Sequence, residues 1–244
     1  MPPIYESRVF QNTTLKKQDM KTKFTPVFVL MTVMFTVCLI LSNLLATKLF
    51  AIGSVALPCA VLVFPISYIL NDCFTEVYGY RKTRMVIWLA FAMNFFVVLM
   101  GQIAVWLPAA SFWDAAEHFN YMFGMVPRVT FASLLAFLVG STVNSLVMSR
   151  MKVIDKGKRF SIRAILSSLA GEGIDSLIFM PIAFFGTPLK SLAVMMAVQV
   201  SFKVVYEIAI LPVTAFSVRK LKAYEGEDVY DENISYNPFK FRDI

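Results

Sequence analysis

Of 244 residues, 58% are hydrophobic and only 16% charged, with a mean hydropathy of +0.67, whereas a soluble domain sits nearer half apolar and a quarter charged. The excess comes in blocks long enough to cross a hydrocarbon core, which takes about 20 residues, so the chain reads as an integral membrane protein. The net charge of +7 does not point to nucleic acid, because the bases cluster between apolar blocks rather than along one soluble face.

Residues 1–25 are polar and basic, and the next, apolar block is too long for the core of a cleavable signal peptide. They are expected to form a cytoplasmic segment ahead of a transporter-sized membrane domain, 26–217, and a polar cytoplasmic tail, 218–244. Six blocks read as spans: about 26–47, 55–77, 85–107, 127–149, 163–186 and 190–217. Each is expected to be helical, since a backbone in lipid must satisfy its own hydrogen bonds. The fold class is therefore all-α, a six-span polytopic membrane protein.

Span 1 carries Asn43 and a weak small-xxx-small pair, Ser42 and Ala46, which leaves a homo-oligomer open. Span 2 ends in "NDCFTEVYGY", with Asn71, Asp72 and Glu76 at its inner end and Pro65 within it. Span 3 adds Asn94 and Gln102, and span 4 adds Asn144. Between them, "SFWDAAEHFNYMFGMVP" places Phe112, Ala115, Ala116, Phe119, Met122 and Phe123 at helical spacing, as in an interfacial helix. Span 5 contains "AGEGIDSLIFMP": Glu172 and Asp175 at i, i+3 share a face, with Pro181 beyond them. Span 6 contains "QVSFKVVYEIAILP", with Gln199, Lys203 and Glu207 near the midplane and Pro212 beyond. The acidic tail from Glu225 is expected to be poorly ordered.

Nineteen of the 23 bases fall in the N-terminal segment, the second-to-third and fourth-to-fifth loops and the tail. Lys48, Arg128 and Lys190 fall opposite, and Lys203 lies inside a span. That asymmetry puts both termini in the cytoplasm, and the even span count agrees. The three cysteines, Cys38, Cys59 and Cys73, form no CxxC and read as small buried hydrophobes. His118 is the only histidine, so a histidine-rich metal site has little to draw on; neither a metal nor a cofactor is expected.

Five carboxylates at membrane depth (Asp72, Glu76, Glu172, Asp175, Glu207) would cost on the order of 10–15 kcal/mol facing lipid. They should therefore face a shared interior. Static pairs are the plain alternative: Lys203 with Glu207, and Glu76 with Arg81 or Arg84. Pro65, Pro181 and Pro212 can each free the carbonyl four residues back, and Gly171 and Gly173 allow close backbone approach around Glu172. "LVFPISY" in span 2 faintly echoes "IFMPIAF" in span 5, as a 3+3 inverted repeat would.

"NDCFTEVYGYRKTR", "SNLLATKLF", "GEGIDSLIFMPIAFFG" and "KVVYEIAILP" together resemble the queuosine precursor transporter family, bacterial inner-membrane proteins earlier grouped with vitamin-uptake proteins. The likeness runs over roughly 28–217. It implies import of a 7-deazaguanine (preQ0, preQ1 or queuine) for tRNA modification. Such a base offers a ring N–H and an exocyclic amine side by side, which one carboxylate accepts in a bidentate pair, and a carbonyl that an amide or lysine can meet. The sequence supplies Glu172, Asp175 and Glu207 as acceptors, Lys203, Asn43 and Gln199 as donors, and Phe179, Tyr206 and Phe202 as stacking platforms. Asp72 shapes the polar path, while Asn71, Glu76 and the three prolines are assigned to gating or structure.

Two other readings stand beside this one. A substrate-binding subunit of an energy-coupling vitamin importer would need an ATPase on another chain, for no P-loop occurs here. A membrane-embedded enzyme lacks a motif: HExxH and GxSxG are both absent.

Overall fold

The structure, a computed structural model, describes residues 24–52, 55–124, 126–232 and 234–240. The basic segment 1–23 and the last four residues, with Arg242, lie outside them. The chain divides into two units, Met1–Leu30 and Met31–Ile244. In the first, Thr25 Oγ1 caps the helix that starts at Pro26 by accepting from the Phe28 amide at 3.1 Å. The second holds the rest of the fold.

The described helices are α1 (Pro26–Leu45), α2 (Phe64–Trp106), α3 (Ala116–Gly124), α4 (Val126–Ile154), α5 (Phe160–Ala183) and α6 (Leu189–Glu225). Five of them, all but α3, are long and apolar enough to cross a membrane. This is a multi-pass membrane protein built from helices, as its hydropathy requires.

Two departures from the expected spans matter for the site. The expected second span does not begin as a helix. Leu49–Ile52 (β1) and Val55–Pro58 (β2) pair antiparallel, from Leu49 opposite Pro58 to Ile52 opposite Val55. One turn of 3-10 helix, Cys59–Leu62, comes next. Pro65 then falls in the first turn of α2, where its missing N–H has no helical partner to lose. It breaks no helix, contrary to expectation. Pro181 sits near the end of α5 and Pro212 inside α6, so the two proline motifs of the faint repeat are not equivalent in the fold.

The second departure is that α2 runs through both expected spans, 43 residues, but leaves helical geometry at Gly79 (φ 80, ψ 168). Thr75 Oγ1 donates to Thr83 Oγ1 at 3.3 Å. In a straight helix eight residues cover about 12 Å, so the chain doubles back at Gly79 into two legs, 64–78 and 80–106. Only glycine occupies this region of φ and ψ readily. A Cβ there would also lie 2.7 Å from Val229 Cγ1 and 2.9 Å from Asp231 Oδ1. Gly79→Ala should therefore cost about 1–3 kcal/mol of stability and loosen the tail, read as a lower thermal midpoint and faster loss of the tail to protease.

The tail is not the loose acidic strand its composition suggests. The Val229 amide donates to the Val77 carbonyl at 3.2 Å, and the Tyr80 amide donates to Asp231 Oδ2 at 2.8 Å. Asp231, reaching across from the far end of the sequence, thus serves the first free N–H of the second leg as an N-cap would. Ser149 Oγ donates to the same oxygen at 2.5 Å. Further out, Arg84 and Trp88 donate to the carbonyls of Asn237 and Pro238 at 2.7 and 2.8 Å. The reading by composition counted the tail's acids but not Tyr230, Tyr236 and Phe239, which meet Lys152, Arg150 and Trp88.

Helices α4 and α5 approach closely where two glycines meet. A Cβ on Gly140 would lie 2.9 Å from the Gly171 carbonyl oxygen, and one on Gly171 2.8 Å from that of Gly140. Gly173 faces open space instead, so only one of the two expected glycines serves close approach. Asn71 locks α2 to α4: its Nδ2 donates to Asn144 Oδ1 at 2.7 Å and the Ser141 carbonyl at 3.2 Å, and its Oδ1 accepts from Ser145 Oγ at 3.2 Å.

Candidate functional site

Three stripes of residues at helical spacing meet inside the bundle. The first leg of α2 offers Phe64, Tyr68 and Asp72, every fourth residue. Helix α5 offers Ser168, Glu172, Asp175 and Phe179, and α6 offers Gln199, Lys203 and Glu207. Such spacing aligns side chains along one face of a helix. Tyr68, Asp72, Glu172, Asp175, Lys203 and Glu207 are all buried, none more than 4% exposed. The carboxylates converge inward, as the cost of placing them in lipid demands.

Their pairing differs from the static pairs that sequence proximity suggests. Lys203 Nζ bonds Asp175 Oδ2 at 3.2 Å, not Glu207, and lies 4.3 Å from the centre of the Phe64 ring. Glu207 Oε1 accepts from Ser168 Oγ at 2.7 Å and adjoins Asp72. Ser167 Oγ reaches Asp72 Oδ1 at 3.5 Å. Glu172 lies among Lys203, Glu207 and Asp175, yet its Oε2 accepts from nothing.

Glu172 Oε2 is one of several buried polar atoms left over here. Ser42 Oγ, Asn43 Nδ2, Tyr68 OH, Ser176 Oγ and Gln199 Oε1 also have no partner. A buried polar group without a partner costs about 1–3 kcal/mol, and several of them inside one bundle call for a ligand or water. Ser42, Asn43, Asp175, Phe179, Gln199 and Lys203 line a cavity of about 30 Å³ together with Pro58, Ala60 and Val61 of the non-helical stretch. Irregular backbone at membrane depth is tolerated where it lines such a cavity. The space admits about two waters. A bicyclic base needs more room than this.

Of the residues assigned to the base from sequence, Asp175, Lys203, Asn43, Gln199 and Phe179 line the cavity, while Glu172, Glu207, Asp72, Tyr206 and Phe202 do not; Phe64, which the sequence did not assign, does. Tyr68 was also missed, although it stands one helical turn before Asp72. Its hydroxyl comes within 2.6 Å of where a Gly140 Cβ would be, so the small residue on α4 makes room for it.

Glu76 belongs to a different cluster, at the inner end of the first leg of α2. Its expected partners, Arg81 and Arg84, are not those it finds. Arg163 Nη2 bonds Oε2 at 2.7 Å, Lys222 Nζ bonds Oε1 at 2.6 Å, and Lys152 Nζ stands 4.0 Å from Oε1. The bend at Gly79 turns the basic run away and lets bases from α4, α5 and α6 converge instead. Arg163 is held by Asp155 as well, at 2.8 Å. Lys152 and Lys222 both reach Asp228 of the tail, at 2.6 and 2.9 Å.

Asp228 ties this cluster to the tail. Partial burial pushes its carboxyl up, but hydrogen bonds from Lys152 and Lys222, and their charge, outweigh burial and hold it below its ordinary 3.8. A lowered carboxyl stabilises the docked tail fully above that ordinary value, and the contribution is lost as pH falls through the lower, docked value. Exchange of the Val229 amide, relative to its intrinsic rate, should accordingly rise as pH drops below about 4 in the native chain. With Asp228→Asn it should already be fast at neutral pH and change little on acidification.

A family model described as "Putative vitamin uptake transporter" matches residues 58–217. A protein of Bacillus subtilis (strain 168) named "Probable queuosine precursor transporter" is 26% identical over 152 residues, 62% of this chain and 65% of that relative. The match thus spans just under two thirds of the relative's own length. No solved structure matches the chain. The residues matched by the family model contain all three stripes and the Gly79 bend.

Proposed function

This chain belongs to the family described as "Putative vitamin uptake transporter", and from that premise we propose that it imports a queuosine precursor, a 7-deazaguanine such as preQ0, preQ1 or queuine, for tRNA modification. The observation that carries the reading is the set of unpartnered buried groups on facing helices: Glu172 Oε2 and Gln199 Oε1 as acceptors, Asn43 Nδ2 and Tyr68 OH as donors. This is the complement of a guanine-like edge, with two adjacent donors and a carbonyl. The name of the Bacillus subtilis relative gives the same substrate class.

Glu172 reads the donor pair of the base. Asp175 and Lys203 hold one another in place, and Phe179 and Phe64 offer faces for stacking, worth about 1–3 kcal/mol per base. Asp72 and Glu207 extend the polar path inward. On this reading the two legs of α2 are two crossings, six in all, so both termini lie on one side, and the asymmetry of the bases supports that side being the cytoplasm of a bacterial inner membrane. Glu76 with Arg163, Lys152, Lys222 and the docked tail then form the inner closure, which must part for the base to leave.

The test is complementation. In a bacterial strain unable to make queuosine, expression of this chain should restore queuosine in tRNA when at least one of the three precursors is supplied at a concentration useless to the parent strain. Failure with all three, with the protein present in the membrane, removes the substrate class.

A further inference from the structure

A second cavity, of about 20 Å³, lies between α1, the second leg of α2 and α3. Asn94, Gln102 and Phe123 help line it. Asn94 is 1% exposed, and both its amide nitrogen and its oxygen lack a partner. A buried carboxamide with neither group satisfied is costly, and its adjacent donor and acceptor match the complementary pair on the lactam edge of a flat heterocycle. Asn43 lines this cavity and the central one alike, so the two meet at one side chain.

The same cavity is roofed by α3. Gln102 Nε2 donates to the Phe123 carbonyl at 2.5 Å. Gly101 leaves room for the Phe123 ring, since a Cβ there would lie 2.7 Å from Cδ1. Phe119 and Phe123 stand 4.7 Å apart, centre to centre, and Trp113 meets Phe119 at 6.0 Å. The roof is thus an aromatic cluster held to α2 by one hydrogen bond, from the Gln102 amide, and by the fit of Phe123 against Gly101. It lies at the opposite end of the second leg of α2 from the tail.

We infer that this cavity is the outer half of the transport path, that Asn94 is a waypoint receiving a flat, lactam-edged solute, and that α3 is the lid. The inference rests on the transporter reading but not on the identity of the solute. The closed lid leaves room for about one water, so passage requires α3 to lift from Gly101.

The test replaces Cys38, Cys59 and Cys73 with alanine, then introduces Asn94→Cys or, as a second probe of the same cavity, Val97→Cys. A small membrane-impermeant thiol reagent is applied to right-side-out and inside-out vesicles. Both cysteines should react at least tenfold faster from the α3 face than from the tail face. A Gly101→Cys and Phe123→Cys pair, cross-linked in the same background, should suppress that reaction, and reduction should restore it. If neither probe reacts from the α3 face, or if cross-linking leaves the rate unchanged, the path and its lid are overturned. Labelling that behaves as expected in a protein that imports no 7-deazaguanine would leave the path standing and remove only the substrate assignment.

Discussion

Replacing Glu172 with alanine should lower import by about 100-fold or more while the protein still inserts and unfolds at an equal or higher temperature. The two effects have one cause. Glu172 is buried with Oε2 unpartnered, so its removal relieves a burial penalty in the empty protein. Lys203 is not stranded, because Asp175 holds it at 3.2 Å. In the loaded protein the same change removes two hydrogen bonds to a charged acceptor, at about 1.5–3 kcal/mol each. Import at the native rate with Glu172→Ala would remove Glu172 from the site. A collapse of protein levels would show that it is structural.

Glu76→Gln should have the opposite profile, with stability as the main casualty. Glu76 is the hub for Arg163, Lys222 and Lys152, and Arg163 is wholly buried. Removing one partner from a buried ion cluster typically costs about 3–5 kcal/mol, because charge remains with nothing to balance it. Asp155 and Asp228 still serve Arg163 and the lysines, which argues for the lower end, about 3 kcal/mol. The expected readout is a thermal midpoint well below native in detergent, together with release of the tail. Asp155→Asn should cost less, since Asp155 is 23% exposed and water can take its place. A Glu76→Gln variant within about 0.5 kcal/mol of native, the range of ordinary surface changes, would contradict the hub.

Much of the scaffold was legible because lipid leaves the chain few options. Apolar blocks of span length at α1, α4, α5 and α6 became helices close to their expected limits, apart from α4 and α6, which run on to Ile154 and Glu225. The inward convergence of Glu172, Asp175, Lys203 and Glu207 followed from the cost of the alternative. Pair identities did not follow, since spacing along one helix says which residues share a face but not what stands opposite. Lys203 could reach Glu207 one turn away, yet it meets Asp175 on α5. Glu76 lies close in sequence to Arg81 and Arg84, yet the reversal at Gly79 sends them elsewhere.

The hairpin at 49–58 was hidden for a different reason. "LFAIGSVALP" reads as one apolar run, and hydropathy alone cannot separate a short strand from the start of a helix. Gly53 and Pro58 were the available cues. Tyr68 and Gly140 were missed because each matters only through the other, across two helices.

The most direct measurement of the central claim is equilibrium binding of a labelled 7-deazaguanine to the purified protein, native against Glu172→Gln, with adenine as competitor. Saturable binding that adenine fails to displace, weakened about 100-fold in the variant, is the predicted result. Equal affinity in the two proteins, or displacement by adenine as readily as by guanine-edged compounds, would contradict the assignment of these buried groups to the base.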